Sequence, residues 1–501
     1  MRMIRLTKNG YISILLFLLI GLTYSLTAKG HVEVSDTSFS IRTAKAIVEN
    51  GSLNIQASDT EKGYFYETAN GKRYSKYGTG LAFLFVPYVV ISKFLSLFIN
   101  IPEDLILGFF LSFYNVLFGA GTCVVIFFIT RHLDVPKVVS VSISLILAFA
   151  TMCWRYSVWD FSEATQMFFL TFAVYSIIKN TYKSIFFSSL ALFCLCMIKI
   201  INIIFIPIFS FYILFNKSRD NKVDFKKIAL FSIFPLFFSI LILYLNFIRF
   251  GNPLETGYGR EASRFYLTGP IHIGSLLFSM NKGIFIYNPI LFFAIFGYIK
   301  FFKIYRKETI LFLWVILINL LIFATWHSWE GGWSWGPRFL VPTLPFWLMP
   351  LCFLFSKKKL FAIVLIFFII PSFLIQTASV IIKTKEYHYI RYNLVDENIK
   401  RKMPPDILGS LVLLKHKMLR KNNLYNLQEF NVNSNQQIDT NKFKSFRGFN
   451  LWYCHLARIY NRPAIKYIPL LFLPFLFILF VKLLKACVEK EDEEKKQNKT
   501  F

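Results

Sequence analysis

Apolar residues gather in thirteen runs along the chain: 11–27, 80–99, 106–130, 138–153, 164–178, 184–198, 200–215, 228–248, 284–299, 309–325, 339–355, 360–382 and 464–484. A helix needs roughly 20 apolar residues to cross the hydrocarbon core of a bilayer, and somewhat fewer when its flanking residues snorkel. The pattern therefore predicts an all-α, polytopic membrane protein. The polar stretches between runs are short except for three: 29–105, 249–283 and 383–463.

The polar ends of the runs set orientation. Basic residues cluster at Arg2, Arg5 and Lys8, at Arg131 and Lys137, at Lys179 and Lys183, over 217–227, from Lys300 to Lys307, from Lys357 to Lys359, and at Lys482 and Lys485. The positive-inside rule puts these segments, and so both termini, on the cytoplasmic side. Parity then conflicts with the count, because three apolar runs separate residues 1–10 from 131–137, both of them inside. The run 80–99 follows a long polar stretch and contains Pro87, Ser92 and Lys93. It is read as a helix lying in the outer interface, which leaves about twelve spanning helices. The first run also carries the marks of a secretory signal, a basic start and small residues near Ala28. It is read as a retained anchor, since the outer segment that follows would otherwise lose its tether. The expected organisation is a transmembrane module over 1–382, a small extracytoplasmic segment over 383–463, and a last span with a charged cytoplasmic tail over 464–501.

Composition agrees with lipid as the solvent: 55% of the 501 residues are hydrophobic, more than a soluble domain carries. The formal charge of +28 would suggest nucleic acid in a soluble protein. Here it sits at the ends of apolar runs and reports orientation. Seven cysteines, at 123, 153, 194, 196, 352, 454 and 487, show no pairing suited to zinc or a disulfide framework. The seven histidines are equally scattered, so no metal site is readable, and the pattern leaves a divalent cation open.

Ionisable residues at bilayer depth are costly and mark functional sites. Several converge on the expected outer face. Asp36 heads a helical pattern that ends at Gly51, and either caps that helix or serves chemistry. Asp160 and Glu163 open the run 164–178 within its first turn, either as a capping-box-like pair or as site carboxylates. Lys199 divides two runs at an outer turn, near the level of lipid phosphate. The densest signal is Trp326-His-Ser-Trp-Glu-Gly-Gly-Trp-Ser-Trp-Gly-Pro-Arg338. Its tryptophans suit an interfacial belt. Arg338 starts a span, where a planar guanidinium can hold a phosphate bidentately or stack on Trp333 or Trp335.

An outer-loop Asp36, then Tyr74-Ser-Lys-Tyr-Gly-Thr-Gly80 with Pro87, then Trp-x-x-Trp-Glu-Gly-Gly and Gly-Pro-Arg338 before a span form an ordered set. Between them lie Tyr244-x-Asn246, Phe250-Gly-Asn-Pro253-x-x-Thr256-Gly-Tyr258, and Lys282-Gly-Ile-Phe285-x-Tyr287-x-Pro289. The set resembles the GT-C glycosyltransferases, the bacterial protein-mannosyltransferase and aminoarabinose-transferase relatives among them, over roughly residues 30–345. Asp36 is followed by Thr37 where many relatives carry a second acidic residue, and Ser75-Lys76-Tyr77-Gly78 replaces their lysine-proline-proline element.

The resemblance implies a GT-C-like bundle with interfacial helices in the first outer loop. It implies a polyprenyl-phosphate sugar donor, an acceptor glycan, lipid or protein, and inverting transfer at the extracytoplasmic face of the plasma membrane. A phosphate leaving group is already a stable anion, so one base suffices, unlike glycoside hydrolysis with its two carboxylates. Asp36 would take the acceptor proton, and Lys76, Lys199 and Arg338 would neutralise the departing phosphate. Asp160, Glu163, Tyr258, Trp326, His327 and Glu330 are the expected substrate contacts. The competing reading is a transporter or flippase of lipid-linked saccharides. That class places charge near the midplane in matched halves, neither of which the pattern shows.

Overall fold

The computed structural model describes residues 8–216, 223–266, 269–356, 358–395, 397–419, 424–430, 432, 437–439 and 449–488. The basic clusters expected at Arg2 and Arg5, most of 217–227, Lys357 and the charged tail beyond 488 lie outside them.

The chain is a multi-pass membrane protein built almost wholly of helices. Among the described residues seven helical stretches are long and apolar enough to cross a membrane: Lys8–Thr27, Thr79–Ser96, Glu103–His132, Phe225–Phe250, Arg306–Thr325, Lys359–Ile381 and Pro463–Cys487. Five shorter apolar ones, Lys137–Phe149, Glu163–Ile178, Tyr182–Ile198, Ile200–Phe215 and Arg338–Phe353, accompany them. Phe225–Phe250, Lys359–Ile381 and Pro463–Cys487 bury only 17%, 11% and 11% of their most apolar stretch. Apolar helices that face outward belong against lipid chains, not water.

Some runs are less regular than the apolar pattern suggests. The run 284–299 is broken into Ile284–Tyr287, Pro289–Ala294 and Gly297–Ile304. Pro289 starts the second piece, because proline tolerates only a first turn, and the Asn288 side chain crosses to the backbone N–H of Met152 at 2.7 Å. The run 339–355 is a chain of 3-10 turns around one α-turn, Leu344–Leu348, with prolines at 342, 345 and 350. Among the described residues two short antiparallel strand pairs accompany the helices: Phe65–Glu67 with Arg73–Ser75, and Leu424–Asn426 with Gln437–Asp439.

The main core runs through Lys8–Thr27, Tyr114–His132, Lys137–Phe149 and Glu163–Ile178. Helices Ser35–Asn50 and Thr79–Ser96 pack against each other around Ala44, Leu81, Phe85 and Val89. The segment after Ile381 forms its own small core from Tyr387, Ile390, Met403, Leu413, Phe430 and Val432. Loops that basic-residue parity assigns to one side, at 28–37, 75–78, 155–163, 199, 258–261 and 331–338, meet at one end of the bundle.

Candidate active site

Asp36 is the second residue of helix Ser35–Asn50, which stops at Gly51 with φ 60° as the sequence pattern requires. The N-cap position is Val34, and no side chain caps the helix. The expected capping role of Asp36 is therefore replaced by a longer reach. Its Oδ2 lies 3.4 Å from Nη1 of Arg338, and the Tyr77 hydroxyl is hydrogen-bonded to it. Placement in the first helical turn adds a favourable dipole for the carboxylate.

What fixes the entry to that helix is Asp160. It precedes helix Glu163–Ile178 instead of sharing its first turn, and Ser162 occupies the N-cap without a side-chain bond, so no capping box forms. The Asp160 Oδ2 accepts the backbone N–H groups of Glu33 at 2.9 Å and Val34 at 2.7 Å. Thr37 donates its hydroxyl to the Asp160 carbonyl. Asp160 positions the Asp36 segment through the backbone.

Three cations and three carboxylates surround this point, each cation beside one carboxylate. Arg338 faces Asp36. Lys199, at the turn between Tyr182–Ile198 and Ile200–Ile204, holds the buried Glu163 at 3.0 Å. Lys76 holds Glu261 at 3.0 Å, with the Tyr258 ring 5.3 Å from its Nζ. Gly78 and Gly80 explain how the loop carrying Lys76 and Tyr77 comes so close to the Lys199 turn. A Cβ on Gly78 would sit 2.4 Å from the Ile198 carbonyl oxygen, and one on Gly80 2.6 Å from the Met197 carbonyl carbon.

The Arg338 guanidinium lies over the rings of Phe161 and Phe339 at 4.8 and 4.7 Å, not over Trp333 or Trp335. Trp335 is buried with its ring edge against Tyr287, and Trp333 stacks towards His388 and Tyr392. Gly331, at φ 70°, leaves room for the arginine stem: a Cβ there would come within 2.7 Å of Arg338 Cγ. The buried Lys282 clamps the same loop by donating to the carbonyls of Gly332 at 3.0 Å and Ser334 at 2.8 Å. Tyr156 donates to the Trp335 carbonyl at 2.9 Å.

Burial would raise the Asp36 carboxyl, but Arg338, Lys199, the Tyr77 hydrogen bond and Lys76 together bring it below its ordinary value. Tyr77 moves the other way: burial and the Asp36 charge raise its hydroxyl, which stays a neutral donor. The site thus holds an ionised carboxylate among cations, in a partly desolvated place where such charges act strongly.

Three expected contacts lie elsewhere. Trp326 pairs with Phe265 by a backbone bridge and an edge-on ring contact, and the His327 N–H bonds the Arg264 carbonyl. Glu330 is exposed, and its charge acts on Lys282 and Tyr392. This loop turns back on the 264–266 segment, an interaction distant in sequence that no local motif announces. Conversely, Tyr77 and Lys282 stand inside the quoted motifs without having been singled out. Among the described residues no three His, Cys, Asp or Glu side chains gather as a metal-binding group.

No protein-family profile matches the chain, and no curated protein matches it. Among solved structures it is similar to the oligosaccharyltransferase of Archaeoglobus fulgidus in its apo form, at 12% identity and a TM-score of 0.49. It is also similar to that archaeal enzyme in complex with an inhibitory peptide and a dolichol-phosphate, at 12% identity and a TM-score of 0.47. Both alignments cover 78% of this chain and 59% of the other, so the chain spans about three-fifths of the length of those structures.

Proposed function

We propose that this protein is a membrane glycosyltransferase of GT-C type that moves a sugar from a polyprenyl-phosphate donor to an acceptor hydroxyl at the extracytoplasmic face, with inversion. The observation that carries the proposal is the meeting of Asp36 with Arg338, Lys199 and Lys76 at one end of the bundle. A carboxylate next to an arginine, with two further lysines close enough to lower its pKa, suits transfer from a phosphate-linked donor. The acceptor oxygen attacks the anomeric carbon, the bond from that carbon to the phosphate oxygen breaks, and the acceptor proton passes to Asp36. The polyprenyl phosphate leaves with the bonding pair as an anion that the cations stabilise. Glu163 and Glu261 hold Lys199 and Lys76 in place until a phosphate takes over their charge. Tyr258 beside Lys76 suits a donor contact, and Asp160 acts by positioning.

In this reading the chain has about twelve spans, the last of them outside the 1–382 module. Helix Thr79–Ser96 lies in the outer interface, and the broken stretch 284–304 together with Arg338–Phe353 completes the bundle. The test is mass spectrometry of surface glycans and lipid-linked sugars in a deletion strain. Loss of one sugar with accumulation of its polyprenyl-phosphate donor is expected. An unchanged glycan and donor pool overturns the proposal, and an intermediate trapped at the inner face replaces it with flipping.

A further inference from the structure

A cavity of about 340 Å³ opens between the 28–34 link and the segment that follows Ile381, lined by His31, Glu33, Trp333, Lys383, Lys385 and Tyr389. Its charges are arranged unevenly. Glu33 is buried and ionised: burial opposes its charge, but Lys29, His31 and Lys383 hold the carboxyl well below its usual range. Lys29 meets Glu33 Oε2 in a close pair, while His31 Nε2 at 3.0 Å and Lys383 Nζ at 3.3 Å share Oε1. Lys385 donates to the Glu33 carbonyl. Behind the wall, Arg155 donates to the Ser379 carbonyl and the Thr384 hydroxyl, and Asp160 takes the N–H groups of Glu33 and Val34. Of these charges Lys383, Lys385 and Glu33 line the cavity itself, so its wall carries two cations against one carboxylate, beside the rings of Trp333, Tyr389 and His31.

Aromatic faces beside fixed cations bind the apolar face of a sugar ring and an anionic substituent together. Both walls also belong to chain segments that carry residues of the Asp36 site. Glu33 stands three residues before Asp36, and Trp333 five before Arg338 on the loop that Lys282 clamps. We propose that this cavity is the acceptor subsite and that it selects an acidic saccharide, a sugar unit bearing a carboxylate. Lys383 and Lys385 pair with the carboxylate and Trp333 covers the ring. The inference rests on the transferase reading for the word acceptor, but the binding it asserts does not.

The test is binding to the purified full chain in detergent, followed by saturation-transfer NMR and by tryptophan fluorescence, with methyl glucuronide and methyl glucoside as probes at millimolar concentrations. Methyl glucuronide is expected to bind about tenfold or more tightly than methyl glucoside, the worth of one charge-assisted contact. The Lys383→Gln/Lys385→Gln variant is expected to lose the preference while still binding both probes weakly. Trp333→Ala is expected to weaken both probes alike. Thermal unfolding identifies any variant that fails to fold, and the wild-type comparison of the two probes then decides alone. Equal binding of the two probes by the wild type, or no saturation transfer from either, overturns the inference. Asp36→Asn should keep the preference. An Asp36→Asn protein that prefers glucuronide yet transfers sugar as well as wild type sinks the catalytic reading and leaves the subsite standing.

Discussion

Arg338 Nη1 lies 3.4 Å from Asp36 Oδ2 across 302 residues of chain, joining helix Ser35–Asn50 to the start of the Arg338–Phe353 stretch. In the proposed mechanism this pair couples the base to the cation that receives the leaving phosphate.

Asp36→Asn keeps the shape of the side chain and removes the proton acceptor that the proposed mechanism requires. Turnover should fall by about 10²- to 10⁴-fold, with donor binding and expression near wild type. Because Val34 and not Asp36 holds the N-cap position, Asp36→Ala should cost no helix-capping stability beyond that of Asp36→Asn. Transfer assays at saturating donor, with thermal unfolding of both variants, check this. Wild-type turnover in Asp36→Asn would move the search for the base to Glu163.

The pH profile follows from the sign of the Asp36 shift. Against the cost of burial, its carboxyl is held below the usual value mainly by Arg338 and Lys199, so the carboxylate is ionised through the neutral range and an acid limb due to it lies below that of an ordinary aspartate. Arg338→Gln removes the largest lowering influence and leaves burial unopposed by it. The limb should move to higher pH. Stability has the same sign: this contribution is present above the unfolded pKa and is lost as pH falls through the folded one. A pH–rate profile of both proteins, with the limb unmoved, would count against the pair.

Gly331→Ala should imitate loss of Arg338. The new Cβ would meet Arg338 Cγ at 2.7 Å, whereas Gly332, at a similar φ of 66°, has nothing within 4 Å of a Cβ. Donor KM should rise for Gly331→Ala and change less for Gly332→Ala, which carries the backbone strain alone. Equal effects would mean that the loop conformation, not the arginine, matters.

Glu163 and Lys199 should behave as a unit. Glu163→Gln or Lys199→Met alone leaves one charge without its partner, costing roughly 1–3 kcal/mol. The double variant should recover part of that, a coupling read by a double-mutant cycle on thermal unfolding in detergent. Simple additivity would show that the pair contributes no coupling.

Placement of the first outer loop is open to labelling. Asn100 is exposed beyond helix Thr79–Ser96, so Asn100→Cys in a background lacking Cys194 and Cys454, the two cysteines that are not buried, should react with an impermeant thiol reagent from outside the cell. Ser92 is buried against its neighbours and is no reporter, although its place in a polar-flanked run suggests one. Labelling of Asn100→Cys only after permeabilisation would return 79–96 to the spanning helices.

The sequence by itself determined the elements whose causes are local. Long apolar runs marked nearly every helix, and the polar residues at Asp36, Lys76, Lys199 and Arg338 stood out because charge at bilayer depth needs a reason. Gly51 ended its helix where the pattern put it. What only the tertiary structure decided is how those charges pair. Whether Asp36 caps its own helix or faces Arg338, and whether Asp160 serves its own helix or the 33–34 backbone, depends on contacts between segments more than a hundred residues apart. Tertiary contact also decides the place of Trp326 and His327, drawn off by the 264–266 segment, and forms the cavity at Lys383 and Lys385, where the segment after Ile381 folds back on residues 31–33. Hydrophobic periodicity records which residues meet lipid, because that depends on each residue's own solvation. The pairing of polar groups depends on geometry shared by two segments, and neither segment carries it alone.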